Sequence, residues 1–417
     1  MGMQQRGISL TDAFERAQRG NLIYAEIVAR LALASGRVDF DAHNLLAFVS
    51  LRAGAFDRAL DSFRIAHRLR PGAGLDATIA RIEPMLPGWN ARRAARRTDE
   101  RFLLIKAWGY GFGSDLTSLI GALLLAEITN RTPVIHWGPN SLYSDGGTVD
   151  SFHHFFEPIN AFRLDDLRPM ISRGVFPAKW TEANLAVEDL NKFQGPDCRL
   201  GALYFLERDE PLAVFDFNCG IADVLPWIPQ GHAYDGMSIP EIYRLFWRKY
   251  FRPSARVTAR IDQFVARHWP KGPVLAVHMR DGDHRYEQTN LLDVNAQYFA
   301  MIDRLLAEQP AALYLMTDSS AAVEAFRARY GDIVFTTDAQ RTPDDTGIHY
   351  REGTDRVQLG VDILSDILLA TRADRFVGNG RSSPSATVWQ LKDWPAGTAH
   401  MIVPNIYEER NIFLYDF

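Results

Sequence analysis

Cysteine is scarce in this sequence. Only two cysteines, Cys198 and Cys219, occur in 417 residues, and they match neither a metal-binding spacing nor a framework of disulfides. Stable disulfides are typical of oxidising compartments, so their lack favours a reducing one. We therefore expect two ordinary buried thiols.

A long apolar run is also missing. The longest one, Ser118 to Ile128, contains Glu127 and falls short of the roughly 20 residues that span a bilayer. The N-terminus has no apolar segment of the kind found in secretion signals, and Arg6 stands where a myristoylation motif requires Ser or Thr. These absences predict a cytoplasmic protein without a membrane span.

An excess of positive charge is the third missing feature. The chain has 51 acidic and 46 basic side chains and a formal net charge of -5. Because proteins that bind nucleic acid over a broad surface are usually basic, this class is disfavoured. Hydrophobic residues make up 47% and charged residues 23% of the chain, which is typical of a globular protein, and the length suits two or three domains.

Residues 10 to 71 consist mostly of helix formers and carry a repeat. Small, small, aromatic, small and proline residues occur in that order at Ala47, Ala59, Phe63, Ala66 and Pro71. A shift of about 34 residues leads from Ala59 and Ala66 back to Ala25 and Ala32. The pattern resembles a tetratricopeptide repeat, and a generic helical hairpin explains it equally well. We expect an all-α domain over residues 1–90 that packs on the rest of the chain or on a partner.

A basic segment follows this helical part. Its arginines at 92, 93, 96 and 97 would share one face of a helix, and such a run is usually a solvent-exposed linker, so we place a domain boundary here. Beyond it, strands predicted at 101–108 and 132–137 flank a helix. Residues 140–236 are rich in aromatic side chains and irregular, and they give no periodic signal.

Alternation of strands and helices resumes later in the chain. Strands are predicted at 273–279, 312–317, 332–336, 375–379 and 400–404, with helical stretches between them. The fold class is therefore α/β, with units at 91–255 and 256–417 that face a cleft. Ligands are expected at the carboxyl ends of the strands.

Two stretches whose residues could bind a ligand or take part in catalysis follow predicted strands. In "WGYGFGSD", Gly111 and Gly113 allow a ligand to approach backbone N–H groups at the start of a helix, although the spacing is not the dinucleotide-binding one. In "VHMRDGDHRYEQ", alternation along the strand places His278 and Arg280 on one face. A guanidinium there suits a phosphate.

Carboxylates follow Arg280 in the same loop. Asp281, Asp283 and Glu287 are potential general bases. Asp281 and Asp283 also form an Asp-x-Asp pair that could hold a metal, but the positive charge of Arg280 and His284 beside them disfavours this alternative.

Two further stretches also end predicted strands. In "MTDSS", Asp318 comes just after a strand. In "GVDILSDILLATRADRFVGNGRSSPSATVWQL", Asp366 lies on a helix, and Ser382 and Ser383 begin another. Hydroxyls and unpaired N–H groups at a helix start suit a phosphate, although helix capping is the commoner explanation for such serines.

Four of these motifs occur in the order of a known family. The stretches "WGYGFGSDLTSLIGALLLAEITNRTPVI", "VHMRDGD", "MTDSSAAVEAFRARYGDIVFTTD" and "DILLATRADRFVGNGRSS" resemble the fucosyltransferase superfamily, above all the α1,6-fucosyltransferases of animals and of rhizobial Nod-factor synthesis. The HxRxGD form of the second motif is closer to the α1,2-fucosyltransferases. The resemblance extends from about Phe102 to Asn405.

The resemblance implies a GT-B-like, inverting and metal-independent enzyme with GDP-fucose as its donor and no cofactor. It further implies that Arg280 holds the β-phosphate, that His278 and Asp366 contact guanine, and that Ser382 or Ser383 binds phosphate. Asp318 would shape the donor pocket. The acceptor would be a glycan or a glycoconjugate.

The sequence departs from the family at the proposed base. His284 stands where the α1,6 enzymes carry lysine, and Glu287 lies one place out of register, with Gln288 at the matching position. The base therefore remains open among Glu287, Asp283 and His284. Two other functions also remain open: a GT-B enzyme that uses GDP-mannose or GDP-rhamnose, and a non-catalytic tetratricopeptide scaffold with a protein partner.

Overall fold

The computed structural model describes residues 9–34, 39–147, 149–187, 199–281, 290–344 and 346–408. In these residues, two parallel β-sheets with surrounding helices follow an N-terminal helical part. The predicted α/β class with parallel strands and a preceding helical part is confirmed. The N-terminal helices are α1 (Leu10–Gln18), α2 (Leu22–Ala34), α3 (Phe40–Arg52), α4 (Phe56–Leu69), α5 (Asp76–Ile82) and α6 (Leu86–Ala94).

The helical part packs on the rest of the chain. Ala13 and Ala17 of α1 and Leu22 of α2 belong to the same buried core as strand residues 103 and 105 of the first sheet. The Tyr204 hydroxyl accepts a hydrogen bond from the backbone N–H of Leu22 at 3.1 Å and donates one to the carbonyl of Gly20 at 2.8 Å. Ala47, Ala59 and Phe63 are buried in a separate cluster between α3 and α4.

The basic segment is the solvent-exposed stretch that we predicted only in part, since Arg92 and Arg97 are exposed whereas Arg93 and Arg96 are not. Arg96 pairs with Glu207 at 3.1 Å and with Asp209 at 2.9 Å, and its side chain is only 13% exposed. Arg93 donates a hydrogen bond to the carbonyl of Ile128 at 3.0 Å. Arg93 and Arg96 therefore attach this segment to Ile128 and to residues 207 and 209, because long guanidinium side chains reach acceptors that a local helix pattern does not reveal.

The first sheet has the strand order β2-β1-β4-β3, with every pairing parallel. Its elements, with the helices around it, are β1 (Phe102–Lys106), α7 (Phe112–Ile128), β2 (Thr132–His136), α8 (Leu164–Leu167), β3 (Val175–Phe176), β4 (Leu212–Phe215), α9 (Ile221–Val224) and α10 (Ile239–Tyr250). Strand β4 pairs with β1 inside the sheet, yet it lies in the part of the sequence that gave no periodic signal. Its four residues are too few for a periodic pattern to stand out.

Helix α7 explains the longest apolar run. Nearly all of its side chains are buried, so the run is apolar on every face because the helix is enclosed by protein. Within the described ranges, no helix combines the length and the apolar character that crossing a membrane requires.

The second sheet has the strand order β7-β6-β5-β8-β9 and is also fully parallel. Its elements are α11 (Ala255–His268), β5 (Val274–His278), α12 (Leu291–Glu308), β6 (Ala312–Met316), α13 (Ser320–Tyr330), β7 (Val334–Phe335), α14 (Arg356–Ala370), β8 (Arg375–Gly378), α15 (Ser383–Leu391) and β9 (Ala399–Met401). Helices α12 and α13 contribute to the core on one face, and α11 and α14 to the core on the other. The strand order reverses between β5 and β8, which is where ligands bind in sheets of this kind.

Candidate functional site

A cavity of about 690 Å³ lies where the carboxyl ends of the two sheets meet. Residues that follow β1, β4, β5 and β6 line it, together with the starts of α7 and α15 and one face of α14. The structure brings eight of the predicted site residues into this cavity: Gly111, Gly113, His278, Arg280, Asp318, Asp366, Ser382 and Ser383. Asp281, a potential base, is described but does not line it. Asp283, Glu287 and the alternative base His284 lie outside the described residues.

Arg280 lies just after β5 and pairs with Asp318 just after β6. Both side chains are partly buried, and the second carboxylate oxygen of Asp318 accepts a hydrogen bond from the backbone N–H of Asp281 at 3.2 Å. Neighbouring parallel strands end at the same edge of the sheet, so their following residues meet. Asp318 therefore orients the guanidinium at the cavity wall.

His278 is fixed by a serine that the sequence reasoning overlooked. Its Nδ1 lies 2.6 Å from Oγ of Ser385 in the first turn of α15. The same Oγ accepts a hydrogen bond from the backbone N–H of Asn379 at 3.0 Å. His278 is thus a buried residue with a defined ring orientation. Ser385 follows Ser382 and Ser383 in "RSSPS", and its place in that motif could have identified it.

The starts of α7 and α15 touch each other at the cavity. A Cβ atom placed on Gly113 of α7 would lie 2.7 Å from Oγ of Ser383 and 2.9 Å from the backbone N of Pro384. Gly113 is therefore small because two helix N-termini pack together, whereas a Cβ on Gly111 would meet nothing within 4 Å. Since each helix N-terminus carries partial positive charge, their contact creates a favourable place for an anion.

Ser382 occupies the N-cap position of α15, but helix capping does not account for its side chain. Among the described residues, its hydroxyl makes no capping hydrogen bond, so the commoner explanation for this serine is wrong. Ser382 is buried and lines the cavity. Arg381 lines the cavity beside it and adds a cation that we had not predicted, although it stands in the same "NGRSS" motif.

Asp366 is a buried carboxylate on α14 that lines the cavity. Its Oδ1 accepts hydrogen bonds from the Tyr314 hydroxyl at 2.9 Å and from the Thr337 hydroxyl at 2.8 Å. Burial raises the pKa of Asp366 to about 6, and the hydrogen bonds from Thr337 and Tyr314 oppose this effect. The protein therefore retains, at this place, a buried carboxyl group whose ionised form is energetically unfavourable. Asp362, one helical turn earlier, also lines the cavity, and its spacing from Asp366 could have predicted this.

Asp115 holds the glycine-rich turn before α7. Its Oδ1 accepts hydrogen bonds from the backbone N–H groups of Gly109 at 2.9 Å and Tyr110 at 3.4 Å. Burial raises the pKa of Asp115 to about 7. This carboxyl group therefore shapes the cavity wall from behind, a role that only the folded turn makes visible.

Within the part of the chain that the structure describes, no group of three or more His, Cys, Asp or Glu side chains is placed to hold a metal ion. Asp283 of the Asp-x-Asp alternative lies outside that part. Cys219 is a free buried thiol, as expected, and Cys198 lies outside the described residues.

The fold and the site define an α/β protein with a cavity between two parallel sheets, and sequence comparison identifies its family. The sequence model of the nodulation protein Z family (NodZ) matches residues 99–390, and the chain belongs to this family. Nodulation protein Z of Sinorhizobium fredii (strain NBRC 101917 / NGR234) is 25% identical over 298 residues, which cover 64% of this chain and 83% of that protein. The predicted resemblance to the fucosyltransferase superfamily is confirmed, and the chain is an enzyme of the glycosyltransferase class.

Solved structures are similar at lower identity. A NodZ alpha-1,6-fucosyltransferase soaked with GDP-fucose is 19% identical, with a TM-score of 0.47, over 70% of this chain and 92% of that one. POFUT1 in complex with GDP is 16% identical, with a TM-score of 0.45, over 73% of this chain and 99% of that one.

Proposed function

We propose that this protein is an inverting glycosyltransferase that moves fucose from GDP-fucose to a hydroxyl of a glycan or glycoconjugate. The observation that carries the proposal is the convergence of Arg280, two helix N-termini and the buried carboxylate Asp366 in one cavity. A nucleotide diphosphate needs this combination of an anion site and a base-reading group. Membership of the nodulation protein Z family supports the same conclusion.

Guanine is the base that suits the buried carboxylate. Its Watson–Crick edge carries two adjacent N–H donors, whereas uracil places carbonyl oxygens beside its single N–H and would repel a carboxylate. Oδ1 of Asp366 already accepts two hydrogen bonds from the protein, which hold the group in place for a ligand. His278, fixed by Ser385, contacts the guanine nucleotide from the end of β5.

The β-phosphate lies at the opposite end of GDP from guanine, and the leaving group is stabilised there. Negative charge grows on the β-phosphate as the bond to the anomeric carbon breaks. The Arg280 guanidinium, oriented by Asp318, and the N–H groups at the starts of α7 and α15 face this charge. Preorganised donors of this kind lower the barrier because they need no rearrangement during the reaction. Ser382 or Ser383 adds a hydroxyl to the phosphate site.

The acceptor hydroxyl requires one base, since a direct inverting displacement has a single nucleophile. We assign this role to Glu287, with Asp283 as the alternative, because Asp283 lies nearer to Arg280 in sequence and a neighbouring cation lowers the basicity of a carboxylate. Glu287→Gln is expected to reduce turnover strongly while GDP binding stays intact. Asp283→Asn should impair both turnover and GDP binding. An active Glu287→Gln enzyme would transfer the role to Asp283 or His284.

The domain arrangement belongs to the same proposal. A tetratricopeptide-like helical domain spans residues 1–90, an acceptor-side α/β domain spans 91–255, and a donor-binding α/β domain spans 256–417, in a GT-B-like arrangement. The helical domain offers a surface for a protein partner or for self-association. The enzyme acts in the cytoplasm and needs no metal or other cofactor.

A ligand panel followed by turnover tests the function. Thermal shifts with GDP, UDP and CMP should show stabilisation by GDP alone. Incubation with intact GDP-fucose and a mixed acceptor array, followed by mass spectrometry, should then show fucosylated products. Transfer from GDP-mannose or GDP-rhamnose in place of GDP-fucose would change the sugar but keep the site. Failure of every guanine nucleotide to bind would favour the non-catalytic scaffold.

A further inference from the structure

A second cavity lies beside β7 at the outer edge of the second sheet, and we call it the basic cleft. Its volume is about 580 Å³, which is within the usual range for small-molecule sites. Helix α11 lines it on one side of the edge strand, helix α13 on the other, and residues 336–341 close its base.

Arginines dominate the charge of the basic cleft. Arg260 and Arg341 line it from partly buried positions, and Arg267 and Arg327 line it from exposed ones. Arg260 is neutralised by two carboxylates, since its Nη2 lies 2.6 Å from Asp338 and 2.9 Å from Asp362.

Arg267 on α11 and Arg327 on α13 differ from Arg260. Among the residues that the structure describes, neither guanidinium makes an ion pair or a side-chain hydrogen bond. The four arginines that line this concave surface outnumber its two carboxylates, Glu324 and Asp338, so Arg267 and Arg327 bring excess positive charge to it from both sides. Such a surface attracts anions, and guanidinium forks bind phosphate or carboxylate oxygens in pairs.

The base of the basic cleft is also a wall of the cavity between the two sheets, which we call the donor cavity after its proposed ligand. Thr337 and Arg341 line the cleft, whereas Ala339 and Gln340 between them line the donor cavity. Nη2 of Arg341 donates a hydrogen bond to the carbonyl of Thr337 at 2.9 Å, and the Thr337 hydroxyl donates one to Oδ1 of Asp366 at 2.8 Å. A cation of the cleft is thus connected through one residue to the buried carboxylate of the donor cavity.

We propose that the basic cleft is a second ligand site, which binds a small polyanion such as a phosphorylated metabolite. A polyanion held by Arg267, Arg327 and Arg341 fixes the position of Thr337 and therefore of Asp366. Occupancy of the cleft then strengthens guanine nucleotide binding, and by linkage a guanine nucleotide strengthens polyanion binding by the same factor. This coupling rests on the proposed function, whereas the site itself does not.

Calorimetric titration of pyrophosphate into protein saturated with GDP tests the site, because GDP occupies the donor cavity. We expect one remaining binding event, with affinity reduced at least tenfold in the double variant Arg267→Ala, Arg327→Ala. The matched control is Arg304→Ala, Arg329→Ala, which removes the same charge outside the basic cleft and should bind pyrophosphate normally. Citrate in place of pyrophosphate tells whether phosphate or carboxylate groups are preferred, and binding of either supports the site.

No event with either polyanion, or equal binding by the two double variants, would overturn the site. If GDP itself does not bind, the proposed function fails, but a pyrophosphate event that only the first double variant loses still establishes the site. The coupling is read from GDP affinity in the presence of pyrophosphate. Any competition of pyrophosphate with GDP at the donor cavity affects both double variants equally. The control should therefore bind GDP several-fold more tightly than the Arg267→Ala, Arg327→Ala variant does. Equal GDP affinities of the two variants would refute the coupling.

Discussion

Replacement of Asp366 by asparagine should make the protein more stable and less able to bind its donor. The pKa of Asp366 is raised from 3.8 to about 6 by burial, and this difference corresponds to about 3 kcal/mol. A carboxyl group whose pKa is raised on folding favours the folded state below its unfolded pKa, and this contribution is lost as the pH rises through about 4 to 6. At pH 7 the ionised group therefore costs about 3 kcal/mol, which Asp366→Asn removes.

The amide can keep the existing hydrogen bonds, because its oxygen accepts from Tyr314 and Thr337 as the carboxylate does. It cannot reproduce the negative charge toward guanine. We expect a melting temperature higher by a few degrees at pH 7.5, no difference near pH 4, and a strong loss of GDP affinity in calorimetry. In the unmutated protein, GDP affinity should fall as the pH drops below about 6, where Asp366 takes up a proton.

Asp362→Asn is the matched control on the same helix. Burial raises the pKa of Asp362 as well, but its carboxylate lies 2.9 Å from the guanidinium of Arg260. The same substitution therefore also removes one partner of an ion pair, and it should stabilise the protein less than Asp366→Asn does. If Asp366→Asn melts at or below the unmutated protein at pH 7.5, or if the difference in melting temperature is the same at pH 4 and pH 7.5, the argument from burial is refuted.

Three further predictions follow from the donor cavity. Arg280→Ala should lower turnover at least a hundredfold with the fold intact, since one such contact lowers the barrier by about 3 kcal/mol or more. Turnover of Arg280→Lys should also be low. Near-normal turnover of either variant would refute the role of Arg280 in stabilising the departing GDP. Gly113→Ala should destabilise the protein by about 1 to 3 kcal/mol in denaturant unfolding, because its Cβ would lie 2.7 Å from Ser383 Oγ, and unchanged stability would contradict the packing. Full activity is expected in excess EDTA, whereas loss that manganese or magnesium restores would favour the Asp-x-Asp metal site.

Much of the second sheet could be predicted from sequence, because its central strands β5 and β6 are continuous apolar runs followed by polar residues. Arg280 and Asp318 could be placed together for the same reason, since parallel strands end at one edge of the sheet. The contact between His278 and Ser385 could not, because it joins residues 107 positions apart whose meeting depends on how α15 packs. The burial of Arg96 depends likewise on acceptors that lie 111 and 113 residues away.

The contact between Gly113 and α15 also limits how this enzyme can be recombined with its relatives. Helix α7 follows the first strand of one sheet, and α15 follows the fourth strand of the other, so the two halves of any chimaera meet at this point. A transplanted second half will fit only if the start of its helix leaves the same space opposite position 113. Exchange of halves to obtain a new acceptor or a new sugar should therefore begin with this pair of helix starts, before any residue that touches substrate is altered.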